Sequence, residues 1–529
     1  MVASRGRAGL PLLLFLLLLP DGLEAQGREW APADRAVIGE LGRINALASS
    51  RDRVYVVSPA GILEFDPQSR RWNGPWQPPG DGLLAGVTGA LADPLDGSLW
   101  MVLPSGWIRF DPGIQSWEDG TVPGRVTDAA LDALLPASGL FLRTSGGWYV
   151  AQRGGFATSS AAPQRPVRIT TAEQVLRTVP AIQASAAALR VEGRLRDVRL
   201  TAAARADGFL GLGWFLGTDG VGLLYYADGA GLPERFPLGL PAARVEALFP
   251  GNGGVWAVTP RTARADPALT FVASDLGQFR SFQGPTARGL PFTEARRMVG
   301  RGSELWLATG NGLVRINPRD EDARVFDEAR GLPDARVLDL AQRRGRIAVG
   351  TLHGVARWDD STGLRTLAPE FTGAAAAVEL SGDTVWVGTD RGLFAALPEQ
   401  PDLLQPEALQ DGLSLQAPVV DLAWRSDTLV ALTRDRLLWR DPGTGRYSAG
   451  PLLGAGLGQL HTVVNGAGGL YVAGERGVGF ATLATPLRRA LATPGDLPGR
   501  VYDLAVDDDY LWVATEAGLV RFRRDLVGR

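Results

Sequence analysis

Five arginines stand just before an aliphatic run in five well-separated stretches of the chain: Arg43, Arg125, Arg244, Arg336 and Arg500. Four aspartates, Asp128, Asp339, Asp421 and Asp503, take the third place after that position in their own stretches, and His461 takes the equivalent place in another. Guanidinium groups bind carboxylates, phosphates and uronic acids through paired N–H donors, and aspartates accept from sugar hydroxyls. These ten residues are the candidate ligand-binding set. The same groups facing one another across neighbouring units would instead staple a scaffold, and recurrence from unit to unit favours that structural role.

The rest of the chain supplies little reactive chemistry. It has 529 residues with no cysteine and no lysine, which excludes disulfides, thiol nucleophiles, thiolate metal sites and Schiff bases. Only His353 and His461 offer imidazole, and His353 occupies a turn where other stretches have "TDRG" or "TEAG". The run Asp507–Asp509 lacks the spaced ligands and bidentate glutamate of a calcium loop. No metal, cofactor or catalytic residue is therefore expected. A net charge of −3 provides no field for phosphate backbones, which excludes nucleic acid as a partner.

The N-terminus carries Arg5 and Arg7 ahead of an apolar run from Leu10 to Leu19. That run is shorter than the roughly 20 residues that span a bilayer, and it reads as a secretory signal peptide over residues 1–25. The expected location is periplasmic or secreted, with no transmembrane anchor in the mature chain.

The candidate residues are positioned by a repeat. "LWLAT" at Leu305 recurs as "VWVGT" at Val385 and "LWVAT" at Leu511, followed by "GLVRI", "GLFAA" and "GLVRF". Looser copies surround Tyr55, Trp100, Phe141, Phe215, Trp256, Ala348, Val430 and Tyr471, which makes eleven. Most neighbours lie roughly 40 to 50 residues apart, the period of a propeller blade. Within a unit such as 331–367, a Gly-Leu-Pro turn leads through short alternating runs separated by glycine turns, the pattern of a four-stranded meander. The fold class is all-β: a β-propeller of two rings, each of about five to seven four-stranded blades, since eleven units exceed one ring. The first ring is expected over 26–285 and the second over 286–529, closed by a strand near Trp30. A short helical insertion, broken at Pro180, is expected at about 155–197.

The segment "LPGRVYDLAVDDDYLWVATEAGLVRF" at 497–522 resembles the two-component regulator propeller repeat, a likeness that covers nearly the whole mature chain. The resemblance implies a periplasmic sensor module that binds carbohydrate fragments, here without the kinase part. Three functions follow: an exported, non-catalytic module recognising a glycan fragment, a peptide or an envelope protein; a propeller-type lyase or hydrolase acting on polysaccharide; or a structural or assembly scaffold of the cell envelope. The lack of a non-repeating acid–base cluster favours the first.

Overall fold

The computed structural model describes residues 30–527 apart from 32, 51, 81, 136–137, 192–197, 209, 264, 284–288, 321, 408–416, 442, 446 and 451–455. The signal-peptide segment at 1–25 lies outside the described residues. The repeat builds its strands by burial on both faces: in Glu304–Thr309 every residue after the first is buried, as a strand covered by a neighbour on each side requires. A Thr-x-x-Gly latch ends it. The Thr309 hydroxyl donates to the Gly312 carbonyl at 2.7 Å, and the same bond forms from Thr351 to Gly354, Thr389 to Gly392 and Thr515 to Gly518. Gly312 has φ 128°, and a Cβ there would meet the Phe326 carbonyl at 2.6 Å, so the turn demands glycine.

The described strands form eleven antiparallel sheets, and each repeat copy supplies the second strand of one. Seven sheets close into a ring: 247–282, 295–326, 337–367, 377–406, 419–449, 460–492 and 501–523, hereafter blades one to seven. The inner strand of each blade packs on the next, and that of blade seven packs on that of blade one. Blade seven takes its outer strand from the other end of the chain, where Arg35–Ile38 pairs with Leu519–Phe522. Trp30 lies against Phe522 with ring centroids 5.0 Å apart, and its indole N–H donates to Asp496 at 2.7 Å.

The other four sheets, 46–76, 89–121, 128–168 and 200–236, form a second unit in which the last packs on the first and the first on the second. Sheets 89–121 and 128–168 share an apolar layer containing Trp100, Trp107 and Leu142. The helical insertion is a pair, α1 (Ala172–Thr178) and α2 (Pro180–Val191), joined at Val179. Thr171 and Gln174 form a capping box at the start of α1. Pro180 opens α2, where its missing N–H costs nothing. Val175, Ile182 and Leu189 of the helices cover Leu216, Leu224 and Tyr226 on the face of sheet 200–236 that is turned away from sheet 46–76.

Sequence and structure differ in the division. A boundary at residue 285 would put sheet 247–282 in the first ring, but that sheet sits between blades two and seven. The first unit has four sheets where five to seven blades are expected, because the long interval before Phe215 is filled by helices. One apolar cluster runs through both units, joining Ile44, Phe65 and Phe215 to Leu248, Val255 and Trp512.

Candidate ligand site on the propeller axis

The inner strands of blades two, three, five, six and seven each contain a bulge, with the pairing slipping by one residue after Ala295, Val337, Val419, Leu460 and Val501. A bulge re-aims the side chain that follows it. The residues that follow are Arg297, Asp339, Asp421, Thr462 and Asp503, and in this layer the guanidinium of Arg297 spans the axis. It donates to Asp339 at 2.8 Å and to Asp503 at 3.3 Å, bonds Asp421 closely, and reaches the Thr462 hydroxyl at 3.4 Å.

Each aspartate also grips the next blade. The Val378 N–H donates to Asp339, that of Val463 to Asp421, and that of Leu248 to Asp503, at 2.7 to 2.8 Å. Glu246 performs the same service for blade two through the Ala295 N–H at 2.9 Å. The aspartate side chains keep 6%, 2% and 2% of their exposure. They are committed to the ring and have no face left for a ligand. Burial works against the charge of Arg297, but the three carboxylates hold its pKa well above the ordinary arginine value. Burial pushes Asp421 up and Asp503 up to about 6, with Arg297 opposing in both.

The remaining predicted residues lie elsewhere. His461 is the bulge residue of blade six, one place before the aspartate register, which Thr462 fills; burial and then Arg500 lower its pKa, and its Nε2 has no partner among the described residues. Asp128 belongs to the four-sheet unit and pairs with Arg168 at 3.1 Å. None of the five predicted arginines meets a predicted aspartate among the described residues. Arg43 faces Asp219 at 3.5 Å, Arg244 faces Glu246 at 2.7 Å, and Arg125 is exposed on its loop. Arg336 pairs with Asp334, which also bonds His353 and is held well below the usual carboxylate range, chiefly by Arg336. Arg244 and Arg500 flank the ring of Tyr502, 4.7 and 5.8 Å from its centroid.

Arg244, Arg336 and Arg500 precede inner strands of the ring and so lie at the mouth where those strands begin, whereas Arg43 and Arg125 precede strands of the four-sheet unit. The cavity opens at the opposite end. It has a volume of about 470 Å³, receives residues from all seven blades, and is floored by Arg297. Gln342, Arg343, Glu379, Trp424 and Asn465 line its walls. The Arg343 guanidinium lies 5.1 Å from the Trp424 ring centroid, and the Trp424 indole N–H is buried without a partner among the described residues. Burial pushes the Glu379 carboxyl up to about 8, Asp339 and Asp421 push the same way, and the Leu380 N–H and Arg297 oppose. Burial thus favours the protonated form of Glu379, an O–H donor in the wall.

Sequence reasoning followed what recurs, and this cavity is made by what does not. Arg297 was legible as the one cation in the aspartate register of "EARRMVG"; Arg343, Glu379 and Trp424 carry no repeat signal.

No family model matches the chain, and no curated protein matches it. Solved structures with a similar fold include the extracellular domain of a hybrid two-component system from B. thetaiotaomicron, at 12% identity and a TM-score of 0.42 over 90% of this chain and 70% of that one. PorZ of P. gingivalis, a surface component of the type-IX secretion system, gives 13% and 0.43 over 91% and 68%. Virginiamycin B lyase of S. aureus gives 14% and 0.42 over 53% of this chain and 94% of the enzyme.

Proposed function

We propose that the protein is an exported, non-catalytic recognition module that takes a glycan fragment or short peptide into the axial cavity of the seven-bladed ring. The observation that carries this reading is the blind cavity of about 470 Å³ on Arg297, with hydrogen-bonding groups and an aromatic face presented from separate blades. That volume falls in the range of small-ligand sites, roughly 300 to 1,000 Å³. Gln342, Asn465 and protonated Glu379 supply donors and acceptors, and Trp424 supplies a flat apolar surface. Export rests on the basic and apolar N-terminal segment. No described helix is long and apolar enough to cross a membrane.

One observation favours a lyase or hydrolase: Glu379, with its raised pKa, has the character of a general acid. No second carboxylate and no histidine lines the cavity among the described residues, and acid–base cleavage needs both partners.

A thermal-shift screen against oligosaccharides, uronic acids and short peptides tests the reading. A ligand of the axial cavity raises the melting temperature of the native protein, and the rise disappears in Trp424→Ala and Arg343→Ala. A shift retained in both variants but lost in Arg336→Ala would move the site to the other mouth. Release of a cleavage product, abolished in Glu379→Gln, would establish the enzyme instead.

A further inference from the structure

A second and larger cavity, of about 640 Å³, lies in the cleft between blades one and two. Its walls come from the outer strand of blade one, Phe279–Phe282, and from the turns at Asn252, Gly302 and Pro318. Phe249, Trp256, Phe271 and Phe282 make it apolar. Arg280 and Arg319 are the only charged residues among the described ones that line it, and neither forms an ion pair with another described residue.

The placement of Arg280 limits what can bind. Its guanidinium lies 4.6 Å from the Phe271 ring centroid, and Phe271 is itself only 6% exposed, so that ring is not free to stack against a ligand. A guanidinium beside an arene keeps N–H donors free of the ring, and those donors match a carboxylate in paired geometry. Trp256, tilted 59° to Phe271 at 5.2 Å, leaves the apolar contact to its own ring and to Phe249. Two cations without an ion-pair partner among the described residues, above an apolar floor, select a ligand that is apolar at one end and anionic at the other. A neutral oligosaccharide would leave both charges unused.

We propose that this cleft binds a carboxylate borne on an apolar or aromatic group, either the C-terminal residue of a peptide or a small free acid. The site is separate from the axial cavity, with which it shares only the wall at Phe249 and Pro250.

Isothermal titration of the whole protein with acetyl-Gly-Gly-Phe, the same peptide as its C-terminal amide, and 3-phenylpropanoate tests this. The free acid binds, the amide binds at least about tenfold more weakly, and Arg280→Met and Arg319→Met each reduce affinity by about tenfold or more. Affinity falls as salt rises from about 50 to 500 mM. Tighter binding of the peptide than of 3-phenylpropanoate identifies a peptide C-terminus as the source, and the reverse identifies a free acid. Trp424→Ala leaves this binding intact, which separates its failure from failure of the axial site. Should Arg280→Met unfold, Arg319→Met, on an exposed turn, and the acid–amide pair still decide. Equal binding of acid and amide, affinity unchanged in Arg319→Met, or no heat from either acid at millimolar concentration overturns the proposal.

Discussion

Arg297 is surrounded by three buried carboxylates, whereas Arg336 is itself exposed and meets one carboxylate, so the two arginines contribute differently to stability. Arg297→Met leaves Asp339, Asp421 and Asp503 facing one another without a cation, a loss on the order of 3–5 kcal/mol. Chemical denaturation should show it as a lower midpoint, and Arg336→Ala should leave the midpoint where it is. Glu379 makes the ring sensitive to pH. Its folded pKa of about 8 exceeds the ordinary value of 4.5, so the folded state holds a proton that the unfolded chain releases. Its contribution to stability is complete below about pH 4.5 and is lost as pH rises towards 8. Glu379→Gln removes that dependence. Its melting temperature, relative to the native protein, should climb by at least a few degrees between pH 5 and pH 8.5; a constant difference would show that the carboxyl is not neutral in the folded state.

At the scale of the element, the second strands were the most legible part of the sequence. Apolar residues run there ahead of a turn, which in four copies is a Thr-x-x-Gly latch, and all eleven copies are strands. The inner strands were less legible because a bulge shifts the side chains by one place without changing residue types. That is why His461 reads as the partner of Asp503 when Thr462 occupies the register. The ring arginines and aspartates share a spacing but not a destination: strand direction sends the former to one mouth, and the bulge turns the latter onto the axis. The closing strand is four residues long, and Ile38 within it is fully buried. Ile38→Ala should cost about 2–4 kcal/mol of stability in denaturant. It should also increase oligomers in size-exclusion chromatography as the outer edge of blade seven is uncovered. A monomer of native stability would show that the ring does not depend on this strand.

For the whole molecule, the number of sheets was legible and their allocation was not. Nothing in the composition near residue 240 marks the passage from the four-sheet unit to the ring, because the same apolar cluster runs through both. The backbone N–H of Trp72 also donates to the Gly277 carbonyl at 3.0 Å across the two units, and Arg71 pairs with Asp275. Scanning calorimetry should therefore give one cooperative transition, and Leu41→Ala, in the shared cluster, should lower it as a whole. Two resolved peaks, only one of them moved by the variant, would mean that the units unfold independently.

The strand exchange at blade seven also bears on synthesis. A ribosome delivers residues 35–38 before any other described strand, but their partner at 519–522 arrives only after the other ten described sheets have been made. The earliest strand must wait for the latest one. A product that stops short of residue 519 leaves both ends unmatched and the ring open, in the state most accessible to a protease. The join thus couples the two edges of the ring: a single four-residue ladder closes it.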